Sequence, residues 1–467
     1  MNLQKTLFAI LIFLFQNTFL SAQNHNQIEG NWSGNIVLPN AKLEVIFKIE
    51  TDSTGNYTTK MDVPQQGAQN LPVSKTVVTP DSLKFTVAII AGNFSGKFAG
   101  DSVVGTWSQS GAKLPLVLGK KEILTELIRP QTPRPPFHYT IKEVSYVNPE
   151  SGFKMAGTLT IPAKDKKVPA VILISGSGAQ DRNESLFGHH PFWVVADYLT
   201  RNGIAVLRVD DRGVGGSEGK TSESTSLDFA GDVLTSFGFL QSQPEIDSKK
   251  IGLIGHSEGG LIAPIVADKN KDVAFIVLLA GPALVGEQII YEQQRLFLLQ
   301  AGMSEEQVNE SRLSQEEIFS VLKTETDSAK RNEKLKEIMS IGMYKLMNDE
   351  LKTSVDNQVK TVDNTWFRFF LTYDPYPALT KLTCPVLALN GEKDLQVPPQ
   401  SNLPLIENAL KEAKNANFKI MEIPGVNHLF QTCETGAVTE YSQIEETISP
   451  AVLEILKDWI VNSGLKK

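Results

Sequence analysis

Residues Lys250–Lys269 read KIGLIGHSEGGLIAPIVADK. The first six residues form a short apolar run of strand type. The last nine carry small and apolar side chains suited to a buried helix. Ser257 falls on the turn between them, inside Gly255-His256-Ser257-Glu258-Gly259, a G-x-S-x-G pattern. A serine on a sharp strand-to-helix turn presents its hydroxyl at the end of a sheet, and flanking glycines allow the tight backbone approach the turn needs. The pattern alone is weak, because Gly215-Gly216-Ser217-Glu218-Gly219 matches it as well. Ser217 follows a loop and precedes the polar run GKTSESTS, so no helix carries it. Context therefore selects Ser257 as the candidate nucleophile.

The surrounding sequence repeats the strand and helix alternation. Val168–Ser175, Ile204–Val209, Lys250–Ile254, Ala274–Leu279 and Pro385–Leu389 are continuous apolar runs, as expected of parallel strands buried on both faces. Helical patterns at Pro191–Arg201, Ser226–Ser242 and Gly259–Lys269 separate most of them. This alternation predicts an α/β doubly wound, mostly parallel sheet over residues 139–467. From about Val285 to Tyr373 the pattern is helical without a strand, which predicts a helical cap inserted between consecutive strands. Residues 27–119 differ in texture: alternating runs such as Ala41–Glu50 and Ser82–Ile90, punctuated by Gly, Asn and Asp, predict a small all-β barrel or sandwich. The span from Gly30-Asn31-Trp32 to Gly105-Thr106-Trp107 is similar to a lipocalin-like barrel. Between the two regions, residues 120–138 contain RPQTPRPP and read as an extended linker.

Residues 1–22 have Lys5, an apolar run over Thr6–Phe15 and the small pair Ser21-Ala22, the layout of a cleavable signal peptide. The expectation is a secreted or periplasmic protein without a stable membrane anchor. Net charge is −8, with acidic and basic residues interleaved, which disfavours nucleic acid as a partner. Cys384 and Cys433 lack zinc-site spacing and leave one disulfide or two free thiols open. No cofactor or metal is implied.

A serine nucleophile needs a base, and of six histidines His428 is the best placed. It stands in a loop directly after the apolar strand NFKIMEI, at the carboxyl edge of the sheet. His256, beside the nucleophile, is expected to point elsewhere. The acid should fall between serine and histidine in chain order. Asp394 follows the strand PVLALN, where a buried carboxylate would hold the imidazole tautomer; Glu392 is the alternative. Charge developing on a carbonyl oxygen calls for backbone donors. The N–H of Glu258 supplies one, and Ser177 or Gly178, in the loop Ser175-Gly176-Ser177-Gly178, supplies the other. In the cap, Trp366, Phe369 and Phe370 are candidate lining for a substrate pocket.

The ordered set SGSG, DDRGVGGSEG, GHSEGG, NGEKD and GVNH resembles the α/β-hydrolase superfamily from about Tyr139 to Lys467, nearest in texture to bacterial carboxylesterases and serine aminopeptidase-like members. The resemblance implies that Arg212 braces the floor of the site and does not react. The absence of an HGGG motif separates the chain from lipases of long-chain triglycerides. The implied activity is hydrolysis of small carboxylic esters through an acyl-enzyme. A peptidase of the same fold is the second reading, and a binding protein with an inactive hydrolase fold is the third.

Overall fold

The computed structural model describes residues 28–465 apart from 39–40, 53–54, 64–67, 110–111, 122–128, 165 and 348. The proposed signal peptide lies outside the described residues. The chain forms two compact units, one from residues up to 126 with 343–358, the other from 127–342 with 359–467.

The first unit is built on nine antiparallel strands: β1 (Gly30–Leu38), β2 (Ala41–Thr51), β3 (Tyr57–Val63), β4 (Ala68–Pro72), β5 (Lys75–Val78), β6 (Ser82–Val87), β7 (Gly92–Ala99), β8 (Ser102–Gln109) and β9 (Ala112–Lys121). Their order, β4-β3-β2-β1-β9-β8-β7-β6-β5, is an up-and-down meander in which the first strand pairs with the last. The two ends of the sheet approach one another. Val73 N–H donates to the Thr59 carbonyl at 3.2 Å, and Thr76 Oγ1 donates to Thr59 Oγ1 at 2.8 Å. The sheet therefore curls as a barrel does, in place of the two stacked layers of a sandwich. Alternation drives the curl: Val45, Phe47 and Ile49 of β2 and Leu83, Phe85 and Val87 of β6 all turn inward onto one core with Phe94 and Trp107.

The second unit is the doubly wound sheet. A hairpin of β10 (Tyr139–Val147) and β11 (Lys154–Pro162) leads into β12 (Val168–Ile174), β13 (Ala205–Val209), β14 (Ile246–His256), β15 (Ile276–Leu279), β16 (Val386–Gly391) and β17 (Phe418–Ile423). The order is β10-β11-β13-β12-β14-β15-β16-β17, parallel from β13 onward. Chain direction across the sheet reverses at β12, and the crevice beyond the carboxyl ends of β12 and β14 is where such sheets bind ligands.

Helices cover both faces. Helix α1 (Pro191–Arg201) opens with proline at its first position and buries Phe192, Val195, Ala196 and Leu199, a 3.6-residue stripe, on one face. On the other lie α2 (Ser226–Gln241) and α3 (Glu258–Lys269), with Phe237, Leu261 and Val266 in the core. The segment after β15 is helical: α4 (Gly286–Gln300), α5 (Glu305–Thr324), α6 (Ser328–Met339) and α8 (Thr365–Thr372) belong to the cap of this unit, while α7 (Asp349–Val362) is divided between the two units. After it come α9 (Tyr376–Leu379), α10 (Pro399–Glu412), α11 (Val438–Tyr441) and α12 (Pro450–Trp459).

The Pro-rich stretch, expected to be extended, opens on a turn in which Thr132 N–H donates to the Arg129 carbonyl at 3.0 Å, and it is not a free spacer. Arg129 donates to the carbonyls of Phe187, Ser442 and Ile444, and Gln131 bonds the backbone at Thr447 and Ile448. Cys384 and Cys433 are not joined in a disulfide.

Candidate active site

Strand β14 ends at His256 and α3 begins at Glu258, so Ser257 alone makes the turn. It has φ 52° and ψ −117°, a conformation that costs a non-glycine residue ~1–3 kcal/mol and persists only where the surroundings enforce it. Its N–H donates to the Leu279 carbonyl and its own carbonyl accepts from Gly260 N–H, each at 2.8 Å. A Cβ on Gly255 would lie 1.9 Å from the Gly259 oxygen, and one on Gly259 would lie 2.1 Å from the Ile174 oxygen. The two glycines of the motif are thus a steric requirement of running the helix back against β12. The Ser257 side chain does not cap α3.

Strands β16 and β17 deliver the acid and the base. Asp394 is buried, and its Oδ2 accepts from His428 Nδ1 at 2.8 Å. Its Oδ1 accepts from the N–H groups of Gln396 and Val397 at 2.8 and 2.9 Å, and Asn390 Nδ2 donates to Oδ2 at 3.2 Å. Four donors converge on one carboxylate. Glu392 is exposed and instead accepts from Gly425 N–H. Asn427 shapes the histidine loop by accepting from Leu429 and Gln431 N–H. His428 lies against the nucleophile turn through His256: the two rings are 4.9 Å apart between centroids, and His256 Nε2 meets the His428 carbonyl at 3.0 Å.

The loop after β12 holds Ser177 and Gly178, the residues expected to offer a backbone N–H. Gly176 N–H is taken by Glu184 Oε1 at 2.7 Å, so it offers nothing to a ligand. Gly178 adopts φ 98°, open to glycine, and a Cβ on Gly176 would come within 3.3 Å of the Ser257 Cβ. Both ends of the loop are held by Asp211, which accepts from Ser175 Oγ at 2.8 Å and Gln180 N–H at 2.9 Å. Burial pushes the Asp211 carboxyl up to about 7; those two hydrogen bonds oppose the rise, and the neighbouring Glu258 and Glu184 add to it. Glu258 is buried too, and Oε1 accepts from Ser226 Oγ at 2.6 Å and Trp366 Nε1 at 2.7 Å. Burial raises its carboxyl above the usual range, against those two donors.

Of the three aromatic residues read as pocket lining, Trp366 alone bonds to the nucleophile turn. Phe370 is buried in the sheet core and stacks beneath Trp366 at 5.0 Å, while Phe369 leans on Tyr373 at 5.2 Å. Both pairs, 366 with 370 and 369 with 373, are four residues apart and so meet on the helix surface. Arg212 is buried against Asp232 and lies over the Phe153 ring, a bracing role. Glu184, Asp211 and Ser226 belong to the site without a local sequence pattern that marks them. Each acts on a partner more than thirty residues or a whole strand away, and Asp211 carried a faint signal only as part of DDRG.

A family profile described as "Serine aminopeptidase, S33" matches residues 191–432. The chain is 25% identical over 324 residues to a protein named Esterase EstD of Thermotoga maritima, covering 68% of this chain and 69% of that one. Among solved structures, the α/β hydrolase GrgF of Penicillium sp. sh18 superposes on 70% of this chain and 100% of its own at 16% identity, TM-score 0.43. Est1E of Butyrivibrio proteoclasticus, solved with ferulic acid bound, covers 68% of this chain and 97% of its own at 21% identity, TM-score 0.41. The profile spans more than half of the 467 residues, and the chain therefore belongs to the serine aminopeptidase S33 family of α/β hydrolases.

Proposed function

We propose that this hydrolase is a carboxylesterase in which Ser257 attacks the ester carbonyl, His428 accepts and returns the proton, and Asp394 orients the imidazole. The observation that carries the reading is the buried Asp394–His428 hydrogen bond beside a serine held on an enforced turn. Imidazole donates Nδ1–H to Asp394, which leaves Nε2 basic for the Ser257 proton. Attack forms a tetrahedral oxyanion, received by the N–H of Glu258 at the start of α3 and by that of Ser177 or Gly178. Collapse expels the alcohol with the proton from His428, and water repeats the sequence on the acyl-enzyme.

An ester fits better than a peptide with a free amino terminus. An aminopeptidase needs a carboxylate reserved for the substrate amine, and the acids at this site have other partners: Glu184 with His256, Asp211 with Ser175 and Gln180, Glu258 with Ser226 and Trp366. The cap acids Glu305, Glu306, Glu316 and Glu317 are exposed, and two of them pair with Arg295 and Arg312. The name of the Thermotoga maritima relative agrees with an esterase. The leader-like residues 1–22 support export to the periplasm or medium as part of the same proposal.

Turnover of short-chain nitrophenyl esters against aminoacyl nitroanilides tests the class. A higher kcat/KM on the esters is expected; a higher value on the anilides would make the protein a peptidase.

A further inference from the structure

We infer that Glu184 and His256 form a buried ion pair, with His256 doubly protonated, that positions the oxyanion loop and the loop of the catalytic histidine relative to one another. The inference rests on the reading of Ser257 and His428 given above. Both are positioning residues, since neither occupies the place of a reacting group.

Both ring nitrogens of His256 face acceptors. His256 Nδ1 faces Glu184 Oε1 at 2.9 Å, and Nε2 faces the His428 carbonyl oxygen at 3.0 Å. A carboxylate and a carbonyl are acceptors. A neutral imidazole carries a single N–H and would leave one of these contacts acceptor against acceptor, whereas the imidazolium satisfies both. The alternative places the proton on Glu184 and leaves a neutral ring. That puts it on the oxygen already receiving Gly176 N–H at 2.7 Å, a bond that favours negative charge there. Both side chains are buried, at 9% and 5% exposure, where an unmatched contact has no water to repair it.

The charged and titratable groups facing His256 agree. Glu184 approaches from the loop after β12, Asp394 from the loop after β16, and His428 from the loop after β17, with the edge of Phe430 6.5 Å away. Burial opposes charge on His256, but Glu184, the His428 carbonyl and Asp394 outweigh it and hold the ring above the usual histidine range.

The path of bonds has a functional geometry. It runs from Gly176 N–H to Glu184, through the His256 ring, to the backbone of His428, and His256 is the residue before the nucleophile. Three catalytic components on three loops are thereby tied through one ring: the donor loop, the nucleophile turn and the base. Glu184 itself adopts φ 53°, a conformation unusual for glutamate, at the point where it turns into the site. The ion pair's contribution is complete below the ordinary histidine value of about 6.5 and is lost as pH rises through the higher folded value.

The test reads protonation and catalysis separately. In protein labelled with 15N-histidine, with His256→Gln to assign the signals, both His256 nitrogens should carry protons at about pH 8, where an ordinary histidine is neutral. In Glu184→Gln, which keeps an acceptor for Gly176 but removes the charge, the ring should be neutral at that pH. Its kcat should fall about 10- to 100-fold with KM little changed, as a small misplacement of catalytic groups does. A neutral His256 in the wild type at that pH overturns the proposal, whether or not the variant folds. So does Glu184→Gln with a neutral ring and wild-type kcat. Fluorophosphonate labelling of Ser257 is read alongside: its failure counts against the nucleophile, while the His256 signals stand independently.

Discussion

The two G-x-S-x-G segments have the same residue pattern and opposite fates. In Gly215–Gly219 the positive φ angles fall on the glycines, at 52° and 100°, and the serine between them is ordinary backbone. Ser217 Oγ is buried, accepting from Ala156 N–H at 2.9 Å and donating to the Asp210 carbonyl at 2.8 Å. In Gly255–Gly259 the positive φ falls on Ser257 itself, and the glycines serve to let helix and strands approach. One hydroxyl is consumed in holding a loop to β11. The other is presented at the end of the sheet with no capping duty. A motif of five residues says nothing about which outcome applies; the strand before it and the helix after it decide.

The largest expected effect tests that division directly. Ser257→Ala should lower ester turnover by roughly a thousand- to a millionfold with little loss of fold, because triad members act as a unit. Near-normal turnover in the purified variant would reverse the assignment of the two serines.

Residue pattern reached the sheet because strands buried on both faces leave continuous apolar runs: Val168–Ile174 and Val386–Gly391 lie within a residue or two of where their hydropathy places them. Helix Pro191–Arg201 was legible from its opening proline and its stripe of Phe192, Val195 and Leu199. Strand β14 starts earlier than its apolar run, at Ile246, because Asp247, Ser248, Lys249 and Lys250 are polar residues at the sheet's margin. The candidate triad followed from position after strands, a local property. The clamp on the donor loop did not. Glu184 lies in a turn, Asp181-Arg182-Asn183-Glu184, with no periodicity, and its partner His256 is 72 residues away. The sequence implied that His256 points away from Ser257, but not what it meets.

Asp211, at the head of the Ser217 loop, sharpens the contrast through pH. Its carboxyl is raised from the ordinary 3.8 to about 7, so between those values the folded state holds a proton that the unfolded state has released. Stability therefore falls as pH rises from about 4 to 7, by on the order of 4 kcal/mol at most for about three units. Asp211→Asn should flatten this portion of the stability profile, measured by urea melts across the range. An unchanged slope would assign the titration to another group.

Ser217→Ala comes next. It strands the Ala156 N–H and removes a donor from the Asp210 carbonyl, at a cost of about 1–3 kcal/mol in unfolding free energy. Turnover per folded molecule should be unchanged. A loss of kcat at full folding would mean that this loop contributes to catalysis and that the contrast between the two serines is too sharply drawn.

The smallest effect concerns the residue after the nucleophile. Glu258 lends its backbone N–H to the proposed oxyanion hole, while its side chain takes the Trp366 indole N–H and so ties helix α8 of the cap to the nucleophile turn. Trp366→Phe keeps an aromatic ring over Phe370 and deletes that hydrogen bond alone. The Ser226 hydroxyl still donates to Glu258, so the turn itself should hold. What loosens is the placement of α8, and with it any surface it offers to the acyl chain. Hydrolysis of acetyl esters should change by no more than about threefold, and the ratio of octanoyl to acetyl kcat/KM should fall by about three- to tenfold, the scale of a single hydrogen bond. An equal loss on both esters would show that the bond serves the nucleophile turn and not the cap. No change on either would remove Trp366 from the pocket altogether, leaving it as a core residue stacked on Phe370.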